Sequence, residues 1–209
     1  MKLRYFSRGL EFEQHNDGRS YSEVEKLGFR GYPAFSVQQE VHADGVEAAL
    51  MRRLPPRSRS DFVEYTKLFR LPPGLTLSNM GLLARSEAKL PSDGFSVVDP
   101  LRPDAVACDL VLEVAGFRFY REQLEKSLQL GDQVSFAAED DNLHDSNAVA
   151  IRAGGTVIGY VNRLQASTFR AWLKERDLTA WVDRLNGDPE RPRVFVFVEV
   201  RPQHLRQVA

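Results

Sequence analysis

The sequence predicts an α+β chain. A small, mainly helical α+β domain is expected over residues 1–103, followed over 104–209 by a compact, partly open β barrel with two helices. Three observations carry this expectation. Before residue 100, apolar residues recur at helical spacing in short, proline-punctuated stretches. After it they alternate, as in Gln133–Ala138 and 157–161. Between the two regimes stands Pro100-Leu101-Arg102-Pro103-Asp104, a polar break bracketed by prolines.

Composition narrows the function classes before any motif is read. A chain of 209 residues, 43% hydrophobic and 27% charged, has the make-up of an ordinary globular protein and the length for one domain or two small ones. Its formal net charge is −1 and its pI about 6.4, so no global positive field draws it to nucleic acid. That argues against coating a duplex but leaves a local pocket open. The single cysteine, Cys108, excludes an intrachain disulfide and a cysteine-rich zinc site, and its apolar surroundings suit a packed thiol. His15, His42, His144 and His204 are scattered without paired ligand spacing, so neither a metal nor a cofactor is expected. The opening Met1-Lys2-Leu3-Arg4-Tyr5-Phe6 has no signal-peptide apolar stretch. No window reaches the roughly 18 apolar residues of a membrane span. A cytoplasmic protein without membrane contact is expected.

Residues 2–6 alternate as a short strand, and the polar stretch to Ser22 is ambiguous. Residues 28–35, rich in aromatics and turn formers, read as a loop or short strand that buries Tyr32 and Phe35. From Gly45 the spacing of Val46, Ala49 and Leu50 predicts a helix ended by Pro55 and Pro56. Arg52, Arg53, Arg57 and Arg59 crowd around that end. They form a candidate basic patch for phosphates or an acidic partner, or else a solvated helix end that complements the dipole. Ser60 is the expected N-cap of a second helix, with Asp61 in its first turn and Phe62, Tyr65 or Thr66, and Phe69 on one face. Leu71-Pro72-Pro73-Gly74 stops it. Ser78 caps a third helix carrying Met80, Leu83 and Ala84; residues 90–94 form a turn and 95–98 a strand.

In the second half, residues 108–114 alternate as a strand and Gly116 permits a bend. A helix is expected next, with Tyr120, Leu124 and Leu128 on one face. Strands follow at Gln133–Ala138 and 147–151, and Gly154-Gly155 turns the chain into another over 157–161. Ala166, Phe169 and Leu173 place a helix over about 164–175, and strands around 179–184 and 194–200 complete the pattern. Many short strands with two helices fit a partly open barrel better than a βαβ sheet.

Three mixed aromatic, basic and acidic segments border these runs. They are Val114-Ala115-Gly116-Phe117-Arg118-Phe119-Tyr120, then EDDNLHDSNAVAI from Glu139 to Ile151, then Val157-Ile158-Gly159-Tyr160-Val161-Asn162-Arg163. In this order and spacing they resemble the HIRAN domain over about residues 106–201, a domain fused to helicase and nuclease regions in eukaryotic repair proteins and standing alone in bacteria. The resemblance implies an OB-like barrel that captures the 3′-hydroxyl end of single-stranded DNA. By position it implies a phosphate contact for Arg118, a stacking platform at Phe119 in place of a tyrosine, and a neighbouring tyrosine at Tyr120. It further implies sugar-side contacts for Asn142 and Asp145, and a phosphate contact for Arg163 in place of a lysine. His144 stands where the eukaryotic domain has a second stacking tyrosine, and Tyr160 where it has a histidine. A further aromatic contact in the last loop is assigned to neither Leu185 nor Trp181.

The chemistry is coherent in its own right. Stacking and positive charge hold a single strand, while a carboxylate accepts the hydrogen bond of a free hydroxyl and repels a terminal phosphate. Each residue also has a structural alternative. Asp145 and Asn147 suit Asx-turns, Gly159 a close backbone approach, Arg118 a surface ion pair with Glu139 or Asp141, and Phe119 a core position.

The first hundred residues, through YPAF, LPPRSRSDFVEY and LLARSEAKLPSDGFSV, resemble in pattern the N-terminal subdomain of HipA-type toxin kinases. No phosphate-cradling glycine loop or kinase catalytic loop is present, so that resemblance implies a protein-contact or regulatory module. The leading expectation is therefore a non-enzymatic protein that binds single-stranded DNA ends and meets a protein partner through residues 1–103. One alternative is an antitoxin-like regulator that binds protein and no DNA. Another is a magnesium nuclease built on Asp140, Asp141 and Asp145.

Overall fold

The structure is a computed structural model and describes residues 1–4, 21–72, 74–90, 93–124 and 126–203. His15 and His204, with Tyr5 and Phe6 of the expected first strand and Pro91 and Ser92 of the expected turn, lie outside the described residues. The chain divides into two compact units, Met1–Val98 and Asp99–Ala209. No helix among the described residues is long and apolar enough to cross a membrane.

In the first unit a two-residue strand, β1 (Leu3–Arg4), pairs antiparallel with β2 (Val41–His42). Four short helices accompany them: α1 (Tyr21–Lys26), α2 (Val46–Met51), α3 (Phe62–Lys67) and α4 (Asn79–Ser86). The spacing read from Gly45 lands as expected, with Val46 and Ala49 buried beside Phe35 and with Tyr32 packed on them. A second cluster gathers Leu54, Leu82, Leu83 and Ala88 under Phe62, Tyr65 and Leu77. Ser78 caps α4 by accepting from the Gly81 N–H at 3.0 Å. Ser60 does not cap α3. The N-cap is Asp61, whose carboxylate is held in a fork by Arg59 and makes no cap bond. Residues 95–98 are not a strand either, because Val97 donates only to Glu87 O, at 2.7 Å, with no strand alongside.

The second unit is built on a six-stranded antiparallel sheet. Its strands are β3 (Cys108–Glu113), β4 (Gln133–Ala138), β5 (Val149–Ala153), β6 (Thr156–Tyr160), β7 (Arg176–Gly187) and β8 (Pro192–Pro202). Their spatial order is β3-β8-β7-β4-β5-β6. Alternation explains the layering. Leu110 and Leu112 of β3, Val194, Val196, Val198 and Val200 of β8, and Ala180 and Val182 of β7 all point to one buried side. The helix α6 (Arg163–Glu175) packs on β4, β5 and β7 and sends Ala166, Phe169 and Trp172 into that core. The expected residues of this helix included Ala166, Phe169 and Leu173; Leu173 is half-buried at the edge, and Trp172 fills the centre.

The helix expected to run from Tyr120 to Leu128 is cut short. It is a single turn, α5 (Phe117–Tyr120), continued by a 3-10 turn over Arg121–Gln123, and Leu124 is already extended. Leu124 and Leu128 do reach the core, but from outside any helix. Residues 99–105 strap the far side of α6. Gln165 donates to Asp99 O at 2.8 Å, Thr168 to Pro100 O at 3.0 Å, and Arg176 at the start of β7 to Ala105 O at 3.1 Å.

Candidate nucleic-acid interface

The site lies where the sheet's two outer strands meet. Just beyond β3, Ala115 forms an antiparallel bridge with Tyr160 at the end of β6: Ala115 N donates to Tyr160 O at 2.8 Å, and Tyr160 N to Ala115 O at 2.9 Å. This bridge rolls the open sheet shut at one seam. Gly159 is what allows it. Its φ is +146°, and a Cβ there would stand 2.5 Å from Ala115 O and 2.6 Å from Val114 Cγ1. Past the seam, Gly116 turns with φ +79° and delivers Phe117-Arg118-Phe119-Tyr120 as α5 beside β6.

Two aromatic groups result. Tyr120 packs edge-on against Tyr160, ring centroids 5.7 Å apart. Phe119 is 67% exposed and so is not a core residue. One of its faces carries the Arg118 guanidinium, 4.5 Å from the ring centroid. The surface ion pair that Arg118 could have made with Glu139 is absent, since Glu139 pairs with Arg152 instead, at 3.5 Å.

The second wall is the loop between β4 and β5, and Asn142 organises it. Its Oδ1 accepts from the backbone N–H of His144 (3.0 Å) and Asp145 (3.2 Å), while its Nδ2 donates to Glu139 Oε2 at 3.1 Å and approaches Tyr160 Oη at 3.5 Å. Asp145 Oδ1 accepts from Asn147 N at 2.9 Å, an Asx-turn, and its Oδ2 lies 3.5 Å from Nε of Arg163 at the start of α6. Asn162 places that arginine by capping α6, accepting from Leu164 N at 3.0 Å. His144 and Leu143 point outward, and Leu143 is 97% exposed.

Glu139 is the member that residue-by-residue reading missed. Its Oε2 accepts from the Tyr160 hydroxyl at 2.8 Å as well as from Asn142. Burial acts to raise its pKa, but the hydrogen bonds from Asn142 and Tyr160 and the charge of Arg152 outweigh it and hold the carboxyl below the usual range. Burial pushes the Tyr160 phenol up, as do its bond to the Glu139 carboxylate and the neighbouring Tyr120 hydroxyl. Tyr160 thus stays a neutral donor at any physiological pH and locks the loop to the seam.

Seven of the eight expected residues are therefore linked through Asp145–Arg163, Asn142–Tyr160–Tyr120 and Arg118–Phe119, and His144 joins them by its backbone. The four arginines near Pro55 are not brought together as a patch. Arg53 is buried and forks onto Asp93 (2.7 and 2.8 Å), with further bonds to Ala88 O (2.7 Å) and Phe95 O (2.9 Å). Arg57 bonds Leu77 O and Asn79, and Arg59 holds Asp61; both are exposed, as is Arg52. The aspartates do not converge on a metal site: Asp140 pairs with Arg170 and Asp145 with Arg163. Among the described residues no group of three or more His, Cys, Asp or Glu could hold a metal ion.

The sequence model of the HIRAN domain matches residues 108–202. Those residues form a HIRAN domain. HIRAN is an OB-like fold known for binding DNA, and the match spans β3 through β8, including every residue linked at the seam. Two solved structures are similar to the chain. The crystal structure of the HIRAN domain of human HLTF is 17% identical, covering 44% of this chain and 74% of that one, with a TM-score of 0.36. The crystal structure of a protein from Lactobacillus plantarum is 20% identical, covering 46% and 96%, with a TM-score of 0.35. No curated protein matches the sequence. The HIRAN match begins at Cys108, and none of these comparisons supports the expected likeness of the first hundred residues to the HipA N-terminal subdomain.

Proposed function

We propose that the HIRAN domain of this chain binds single-stranded DNA at a free 3′-hydroxyl end, without enzymatic activity, while residues 1–98 serve as a protein-contact module. One observation carries the DNA reading: an exposed aromatic platform and an anchored carboxylate share the seam between β3 and β6. The terminal base stacks on the open face of Phe119, opposite Arg118, in a guanidinium–ring–base sandwich. Arg118 and Arg163 flank the phosphate that joins the last two nucleotides, and His144 and Tyr160 border the base.

Asp145 tests the sugar. Its Oδ1 is committed to Asn147 N–H, so Oδ2, beside Arg163, is the acceptor for a 3′-hydroxyl proton. A 3′-phosphate would bring like charge to within about 4 Å of that oxygen. Such a pair costs on the order of 4 kcal/mol at an effective dielectric near 20, and Arg163 offsets part of it.

The test is competition binding of the full chain with oligonucleotides that differ only in a 3′-hydroxyl or 3′-phosphate. The expected result is at least about a tenfold preference for the hydroxyl, consistent with a partly offset charge term. Asp145→Asn keeps an oxygen for the Asn147 turn and should erase that preference while leaving the fold intact. Equal binding of both ends by the unaltered protein, or an unchanged preference in Asp145→Asn, rules the mechanism out. For residues 1–98, the support is their exposed apolar side chains, among them Val63, Leu75 and Met80.

A further inference from the structure

Most arginines of the second unit are committed to carboxylates: Arg152 to Glu139, Arg163 to Asp145, Arg170 to Asp140, Arg193 to Glu113 and Arg201 to Asp109. Arg118 and Arg191 are exceptions. Both are exposed, and neither has a carboxylate partner among the described residues. They come from separate parts of the chain, one from α5 and one from the hairpin joining β7 to β8, yet they line the same groove of about 310 Å³. Its other walls include Phe117, Phe119 and Pro192. The one acidic side chain lining it, Glu113, is neutralised by the two-pronged bond from Arg193, 2.6 and 3.0 Å. The groove therefore carries an uncompensated positive charge in an otherwise balanced protein.

The hairpin is held in shape independently of any ligand. Asp188 Oδ1 accepts from the backbone N–H of Glu190 (2.9 Å) and Arg191 (2.8 Å), which fixes the turn that carries Arg191. At Gly187, φ +91°, a Cβ would stand 2.2 Å from Arg191 O, so the turn is too tight for any other residue. Arg191 is thus presented on a fixed backbone with its guanidinium open to solvent.

We propose that this groove holds the second phosphate from the 3′ end of the strand, with Arg191 as its principal contact and Arg118 shared between the first and second phosphates. The inference rests on the single-strand reading above and extends it from an end pocket to a directed path. The strand leaves Phe119 and runs between α5 and the β7–β8 hairpin, along the sequence-independent basic and aromatic lining that a single strand needs. The aromatic contact expected in the last loop has no counterpart in this groove, where Arg191 and Pro192 stand; the grip there is electrostatic.

The test compares a thymidine dinucleotide, which has only the first phosphate, with a longer oligothymidylate, both ending in a 3′-hydroxyl, on the full chain. Arg191→Ala should weaken the longer ligand by roughly tenfold or more, the scale of one charge-assisted hydrogen bond. It should also reduce the slope of log affinity against log salt by about 0.7, one phosphate contact on a single strand. Dinucleotide binding should not change. Arg191→Glu should weaken the longer ligand further, and Arg102→Ala, an exposed arginine paired with Asp104, should do nothing. Thermal melts of the variants should match the parent, since the exposed Arg191 side chain makes no hydrogen bond or ion pair among the described residues.

If the hydroxyl preference holds but Arg191→Ala leaves affinity and salt slope unchanged, the groove assignment fails alone. An equal loss on the dinucleotide moves Arg191 to the first phosphate and also overturns it. If no oligonucleotide binds the parent protein, the end-binding reading fails and the groove falls with it.

Discussion

Replacing Gly159 by alanine tests whether the seam is what assembles the site. The added methyl would sit 2.5 Å from Ala115 O and 2.6 Å from Val114 Cγ1, at a φ of +146° that side chains with a Cβ rarely adopt. The strained dihedral costs about 1–3 kcal/mol. Relief by separating the strands forfeits the two Ala115–Tyr160 hydrogen bonds, each worth about 1 kcal/mol net. Together the loss is about 3–5 kcal/mol, a large fraction of the ~5–15 kcal/mol that holds a domain folded.

Urea unfolding followed by tryptophan fluorescence measures this loss in the right place, because both tryptophans, Trp172 and Trp181, lie in the second unit. The midpoint should fall accordingly. Oligonucleotide affinity should fall in parallel under folding conditions, because Tyr120 and Phe119 are positioned by the same bridge. Adding Val114→Ala removes the side-chain clash but also packing in the core, where Val114 is buried, so the double variant should be no more stable than Gly159→Ala alone, the contact with the carbonyl remaining. A Gly159→Ala protein within about 0.5 kcal/mol of the parent, the scale of an ordinary surface substitution, would refute the close-approach argument.

Phe119→Ala should leave stability nearly unchanged, because the ring is mostly exposed, yet weaken single-strand binding by roughly tenfold or more, the loss of one base stack at about 1–3 kcal/mol; fluorescence anisotropy alongside a melt separates the two effects. Glu139 has a folded pKa below its ordinary value of 4.5, so its contribution is complete above that value and is lost as pH falls through the folded pKa. Glu139→Gln should therefore lower stability at neutral pH and flatten the stability decline below about pH 4.5, as read from urea midpoints across that window.

Much of the fold was legible because burial on one face leaves its period in the sequence. Every expected strand of the second unit formed, and α6 began within a residue of its expected start, since Val, Leu and Phe alternate or recur where the core demands it. The pattern misled where two structures satisfy the same spacing. Leu124 and Leu128 fit a helix face, yet they reach the core from outside any helix. Residues 95–98 had strand-like composition without a partner strand. Ser60 had the chemistry of a cap, but the helix opened one residue later.

The candidate site divides in the same way. Its residue types and their order were readable, together with the HIRAN character of the second half, because aromatic rings, arginines and an Asx-rich loop are local chemical features. What only the tertiary structure decided is partnership. Nothing local indicates that Tyr160 donates to Glu139, 21 residues earlier, that Arg53 is buried on Asp93, 40 residues on, or that Arg191 shares a groove with Arg118. Those pairings depend on how the sheet rolls and closes at Ala115–Tyr160. Hydrogen bonds and charges act over a few ångströms in space, whatever the distance along the chain.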